Sequence, residues 1–501
     1  MSLRMGALSN DLSHFRSSDK RADRFGLLVR RRRSLPLRAS VGVAVEKSRD
    51  KRFSICTADE LHFVAVPNSD WKLALWRYLP SNKVQRRNHP LLLLSGIATN
   101  AIGYDLSPEC SFARYMSGSG FDTWILELRG SGLSTLGLDL HNVKQPINAV
   151  SENINSGQQS IVNLYANADS GISPLQKRET FMQLGTKLTE TFIPLSERIS
   201  SFLNEGVLQA GQNIIRGSRR LIPARLLGVQ ENFFITLEDL QQQFDLIFKY
   251  DWDFDHFLEE DVPAAMEYIR DQSKPNDGKL HAFGLSMGGI LLYAMLSKCC
   301  FQGKDSGLAS VTSLASSLDY SSSRSSLKLL LPLADPAQAL NVPAIPVGAI
   351  LAAVHPFVSR PPFVLSWLKG QVSAQEMMHP ELYDKLLLNN FCTIPAKLLL
   401  QLASAFYKGG LCDRNGTFFY KDHLHKTNVP ILAIGGDHDR VCPPEAVYET
   451  AMLIPEHMVT LKILGEPGGP HYAHYDVVGS HLARDQVYPH IINFLNHHEM
   501  A

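Results

Sequence analysis

The sequence predicts an α/β fold: a mostly parallel central sheet flanked by helices, interrupted by a helical insertion and by a lid or cap region. Three observations predict it. Short apolar runs of strand length alternate with helical stretches, the rhythm of a parallel sheet with crossover helices. Pro90-Leu91-Leu92-Leu93-Leu94-Ser95-Gly96 has the unbroken apolarity of a strand buried on both faces. Finally, Gly284-Leu285-Ser286-Met287-Gly288 is a Gly-x-Ser-x-Gly turn between a strand-like run, Lys279 to Phe283, and a helix-like run, Gly288 to Leu296.

Taken in order, residues 1–45 differ from the rest. They are rich in Arg and Ser, with Arg30-Arg31-Arg32-Arg33 and then Leu37-Arg38-Ala39-Ser40, and are broken by Asp11, Asp19 and Asp23. This composition reads as a transit peptide, with the chloroplast as first expectation. A disordered basic arm on a cytoplasmic protein is the alternative. Residues 56–134 form the first part of the core. Leu61–Val66 and Lys72–Tyr78 read as a hairpin around Pro67-Asn68-Ser69-Asp70, and Phe121–Leu128 as a further strand. Residues 135–248 break the rhythm. Their first part is polar; from Leu175 to Leu221 apolar residues recur at helical spacing, so 174–222 is read as amphipathic helix. A helical layer packed on the core is the plain reading, and peripheral contact with a membrane or lipid surface the sharper one. The core resumes over 250–317, with a helix at 252–272 and a strand at Leu308–Leu314. Residues 318–425, rich in Leu, Pro and Ala, are read as the lid or cap. The C-terminal core, 426–501, carries strands at Val429–Gly435 and Val459–Leu464 and a closing helix from Val487 to His497.

Bulk properties narrow the function classes. The 501 residues carry 49 basic and 49 acidic side chains, a formal net charge of zero, which offers no general attraction to nucleic acid. The seven cysteines are scattered without Cys-x-x-Cys spacing, which fits reduced thiols better than a disulfide framework or a zinc site built on them. No window holds the roughly 18 uninterrupted apolar residues of a membrane-spanning helix.

Ser286 is the candidate nucleophile. A serine on a sharp strand-to-helix turn sits in a strained conformation, and a Cβ at Gly284 or Gly288 would crowd that turn. A serine hydroxyl needs a base to take its proton and a carboxylate to orient the base. In this architecture they follow the nucleophile in the order acid, then His. The acid is expected after the 430–435 strand. Asp439 fits, being a turn Asp followed by an apolar residue and proline; Asp437 is the rival. The base is expected after the last strand, where His474 and His471 compete. The oxyanion is expected to meet two backbone N–H groups, those of Met287 and of Ile97. The latter lies in Ser95-Gly96-Ile97, where this architecture commonly begins with His-Gly.

With these residues in view, the chain resembles the α/β-hydrolase superfamily and, within it, the acid (gastric-type) lipases. Four blocks carry the resemblance: Gly96-Ile97-Ala98-Thr99-Asn100 through Phe121–Trp124 to Arg129-Gly130; Asp255–Ile269 running into Gly284–Gly288; Gly435–Pro444, where His438-Asp439 falls on the acid; and His474-Tyr475-Asp476-Val477-Val478-Gly479. The last block selects His474 over His471. More narrowly, the chain looks like a group of plant plastid α/β-hydrolases. Tyr104–Pro108 and Ser111–Tyr115 also resemble polyhydroxyalkanoate synthases, which use a Cys nucleophile where this chain has Ser286.

The resemblance and the residues together imply a serine hydrolase cleaving carboxylic esters, in particular acyl lipids, through an acyl-enzyme. The expected partner is a small-molecule or lipid ester, and the chemistry calls for no cofactor and no metal. His423/His425 and His497/His498 are read as loop and tail histidines. Three rivals stay open: an acyltransferase using the same three residues, a non-enzymatic binding protein on the same fold, and a peptidase or thioesterase.

Overall fold

The computed structural model describes residues 55–136, 251–333, 344–359 and 368–499. The expected targeting segment, and the expected insertion beyond Leu136 with its 174–222 helices, lie outside these residues. Thr135 and Leu136, read from the sequence as the start of that insertion, instead form a short strand on the sheet.

The strands in chain order are β1 (Glu60–Ala65), β2 (Trp71–Tyr78), β3 (Leu91–Leu94), β4 (Thr123–Glu127), β5 (Thr135–Leu136), β6 (Leu280–Leu285), β7 (Leu308–Leu314), β8 (Ala344–Ile345), β9 (Ile394–Pro395), β10 (Ile431–Gly436) and β11 (Val459–Leu464). Nine of them make one sheet, ordered β1-β2-β4-β3-β6-β7-β10-β11, with β5 beside β2; β8 and β9 pair separately. The β1–β2 hairpin and the β2 pairings to β4 and β5 are antiparallel, and every other pair in the large sheet is parallel.

Burial follows strand position. All four leucines of β3 are fully buried, and every residue of β4, β6 and β10 is buried. Burying a leucine side chain contributes roughly 1.5–3 kcal/mol, so the uniform apolar runs make the sheet centre the most stable part of the core. The edge strands β1 and β11 are half exposed and mix polar with apolar residues.

Helices cover the faces: α1 (Phe112–Gly118), α2 (Val262–Ser273), α3 (Met287–Gln302), α4 (Val347–Ser359), α5 (Pro380–Asn389), α6 (Ala396–Ala403), α7 (Pro444–Ala451) and α8 (Tyr488–His497). Helix α3 is buried along most of its length, so its sequence is apolar all round rather than striped. A π-helical turn, Phe257–Asp261, leads into α2. There Asp261, fully buried, accepts from Arg129 Nε at 2.9 Å and from the Arg129 amide at 3.0 Å, fixing the chain after β4.

The position of the site follows from strand order. The chain leaves β3 towards β4 on one side and returns through β6 on the other. The crevice at the C-terminal ends of β3 and β6 is therefore the point where winding reverses, the usual ligand position in such sheets. Ser286 follows β6, and Ile97 follows β3.

Candidate active site

Ser286 sits between β6 and α3 with φ 55° and ψ −119°, a left-handed backbone that a non-glycine residue holds at a cost of about 1–3 kcal/mol. Its surroundings impose the conformation. The Ser286 amide donates to Leu314 O at 2.9 Å, and its carbonyl accepts from Ser316 Oγ at 2.8 Å. The flanking glycines have a steric reason. A Cβ on Gly284 would stand 2.3 Å from the Gly288 carbonyl carbon, and one on Gly288 would stand 2.1 Å from Leu94 O. The turn is thus wedged against β3, and Ser286 remains half-buried rather than sealed. Met287 is the first residue of α3, so its N–H is one of the helix's N-terminal donors without an intrahelical acceptor.

The loop after β3 lies against the serine: a Cβ built on Gly96 would be 3.5 Å from Ser286 Cβ. In place of a histidine side chain, this loop is held by several local bonds. Thr99 Oγ1 donates to Gly96 O at 2.8 Å, Tyr104 Oη to Leu94 O at 2.7 Å, and Ala98 adopts φ 57°. Two further residues carry it that sequence reasoning missed. Glu127, at the end of β4 and 3% exposed, accepts from the amides of Ala101 at 3.0 Å and Leu133 at 2.7 Å. Burial pushes its carboxyl above the usual range in spite of those donors. Asn390, just after α5, accepts from the Gly103 amide at 3.0 Å, and Cys392 N donates to Ala98 O at 2.6 Å. No local pattern marks either residue; only the tertiary path brings them to the loop.

Asp439 follows β10 and His474 follows β11. Asp439 Oδ2 stands 2.8 Å from His474 Nδ1, with the two side chains 0% and 16% exposed. The other oxygen, Oδ1, accepts from the amides of Val441 and Cys442, each at 2.8 Å. The carboxylate is therefore fixed by three donors, and the ring's Nδ1 is committed to it, which leaves Nε2 for other partners. Asp437 and His471, the sequence rivals, form a second pair: His471 Nδ1 is 2.5 Å from Asp437 Oδ2, and the His471 ring stacks on His438 with centroids 3.9 Å apart.

Asp476 organises the His474 loop. Fully buried, it accepts from Ser373 Oγ at 2.6 Å, Ala374 N at 2.7 Å and Ala473 N at 2.8 Å. Burial pushes its carboxyl up in pKa despite those donors. The Tyr475 amide donates to Val372 O at 2.8 Å. The 372–374 segment thus buttresses the His474 loop while the 389–392 segment of the same stretch buttresses the loop after β3. The sequence marked Asp476 as part of a motif but did not reveal this role.

A family model described as the alpha/beta hydrolase fold matches residues 89–476. Over 94 residues the chain is 36% identical to a Synechocystis protein provisionally named a non-heme chloroperoxidase. That stretch is 19% of this chain and 31% of the relative, so the chain spans about a third of that relative's length. Two solved structures align over 88% of this chain at 12% identity: a thermophilic esterase from Thermogutta terrifontis, covered in full with a TM-score of 0.44, and a monoglyceride lipase from Saccharomyces cerevisiae, covered over 96% with a TM-score of 0.43. Likenesses of that size do not bear on activity. The family match covers most of the chain and includes Ile97, Ser286, Met287, Asp439 and His474: the chain belongs to the alpha/beta hydrolase fold family.

Proposed function

We propose that this hydrolase-fold protein cleaves carboxylic esters, in particular those of acyl lipids, with Ser286 as nucleophile. The observation that carries the reading is a serine held at φ 55° on a strand-to-helix turn, in a chain whose buried Asp439 is hydrogen-bonded to half-buried His474 across the loops after β10 and β11. In the proposed reaction, His474 Nε2 takes the Ser286 proton as Oγ attacks the ester carbonyl. The tetrahedral oxyanion is met by the N–H groups of Ile97 and Met287. Collapse expels the alcohol, which takes the proton from His474, and leaves an acyl-serine. Water, deprotonated by His474, then releases the acid and restores the serine. Asp439 holds the imidazole in one tautomer and stabilises the imidazolium between the steps.

The preference for fatty substrates rests on sequence: the Leu-, Pro- and Ala-rich character of residues 318–425. Peripheral contact of residues 174–222 with lipid surfaces and residence in the chloroplast belong to the same reading and also rest on sequence. Hydrolysis of short and long p-nitrophenyl esters by the wild type and by Ser286→Ala tests the core of the proposal. Turnover that disappears in the variant supports it. A folded wild type that turns over no ester counts against it and favours a ligand-binding role on the same fold. Deleting residues 174–222 is expected to reduce hydrolysis of emulsified lipid more than that of a short soluble ester, and equal losses would remove the interfacial role.

A further inference from the structure

At the end of the sheet opposite Ser286, three segments far apart in sequence bring ligating side chains to one point. His89 precedes β3, His281 lies in β6, and Glu499 follows α8. Both histidines are fully buried, and the Glu499 side chain is 8% exposed. Glu499 Oε2 is 3.1 Å from His89 Nδ1 and 3.0 Å from His281 Nε2.

Outer partners are placed to hold each ring in the tautomer that ligation needs. His89 Nε2 stands 3.1 and 3.2 Å from the two oxygens of Asp277, to which it can donate. His281 Nδ1 is 2.8 Å from Ser310 Oγ and can donate in the same way. With those protons placed outward, His89 Nδ1 and His281 Nε2 are both available as ligands, and both reach the same carboxylate oxygen. The second carboxylate oxygen, Oε1, is occupied elsewhere: it accepts from the amides of Asn88 and, at 3.2 Å, His89. Each inner ligand is therefore oriented by an outer partner, including a carboxylate behind one histidine, as in protein metal sites.

We propose that His89, His281 and Glu499 bind a divalent transition-metal ion, with zinc as the best-matched ion. Two imidazoles and one carboxylate are a common zinc donor set, and ring-nitrogen-to-oxygen separations of 3.0–3.1 Å are close to those around a small tetrahedral ion. The ion would tie the segment after α8 to β6, the strand that leads into Ser286. Its role there is structural, since the residues proposed for catalysis lie at the other end of the sheet. Among the described residues one other group brings three such side chains together, Asp437, His438 and His471. It is more exposed, and its two rings lie flat on one another at 2°, so their nitrogens run side by side instead of converging.

The test is the zinc content of the full chain, prepared without a histidine tag and equilibrated with zinc, for the wild type, Glu499→Gln, Asp277→Asn and His471→Ala. About one tightly held equivalent is expected in the wild type and in His471→Ala, with loss in Glu499→Gln. Asp277→Asn, which leaves all three ligands in place, is expected to weaken affinity about 10- to 100-fold. Chelation of the wild type should lower its melting temperature, and zinc should restore it. A folded wild type that holds no zinc and melts at the same temperature with and without chelator overturns the proposal and leaves a protonated His–Glu–Asp network. Zinc retained by Glu499→Gln, or lost in His471→Ala, also overturns it by placing the ion elsewhere.

Discussion

Two Asp–His pairs lie on the same two loops, each joining a histidine Nδ1 to an aspartate Oδ2, and they differ in burial and in support. Asp439 and His474 are 0% and 16% exposed, whereas Asp437 and His471 are 25% and 36% exposed. The Asp439 carboxylate is clamped from behind by two amides; Asp437 accepts a single further amide, Tyr472 N at 2.9 Å. The His474 loop is braced by buried Asp476, while the His471 ring leans on exposed His438. A short hydrogen bond is therefore not what separates the two. In a water-poor setting with preset donors, a carboxylate holds one tautomer of its histidine firmly. At the surface the same pair is screened and contributes little.

Substitutions can break this comparison in graded steps. The largest expected effect is that of His474→Ala, a fall in kcat of about 10⁵- to 10⁶-fold, against less than about threefold for His471→Ala; steady-state ester kinetics on both variants measure the gap. Asp439→Asn follows, with a loss of about 10⁴-fold because the amide favours the wrong tautomer. Asp437→Asn is expected to leave kcat within about threefold. If the two Asp variants lose equally, burial is not the discriminating feature.

Next is Glu127→Ala, which strands the buried Ala101 amide in the loop after β3 and the half-buried Leu133 amide beside it. It is expected to lower kcat about tenfold or more while changing KM less, because the displaced donor acts mainly in the transition state. Glu127→Gln keeps one acceptor and should recover part of that loss.

The smallest effect concerns pH. Burial raises the Asp476 carboxyl above its ordinary value of 3.8. A raised acid pKa means that the folded state holds the proton more tightly than the unfolded chain. Its stabilising contribution is full below the ordinary value and is lost as pH rises through the raised one. The stability of the wild type relative to Asp476→Asn should therefore decline over that window. Urea unfolding at a series of pH values measures it, and an opposite slope would mean that the three donors outweigh burial.

The sequence made the frame of this site legible and left its supports hidden. The strand-to-helix turn at Ser286 was readable because two glycines at fixed spacing have a steric cause, now visible as the close approach of Gly288 to Leu94. The strands were readable because double burial demands unbroken apolar runs such as Leu91–Leu94. The candidate acid and base could be placed after late strands, but nothing local showed that their rivals would pair with each other. Glu127, Asn390 and the ring of donors around Asp476 were not legible, because each acts through a contact that only the folded chain creates. Thr135 and Leu136 joined the sheet for the same reason: two residues carry too little pattern to announce a strand.

The most direct test is to locate the adduct formed by a fluorophosphonate probe, by mass spectrometry of the digested protein, in the wild type, His474→Ala and His471→Ala. The adduct is expected on Ser286 in the wild type and in His471→Ala, and to be lost in His474→Ala. An adduct on another residue, or one that disappears with His471 and survives without His474, would contradict the assignment of nucleophile and base.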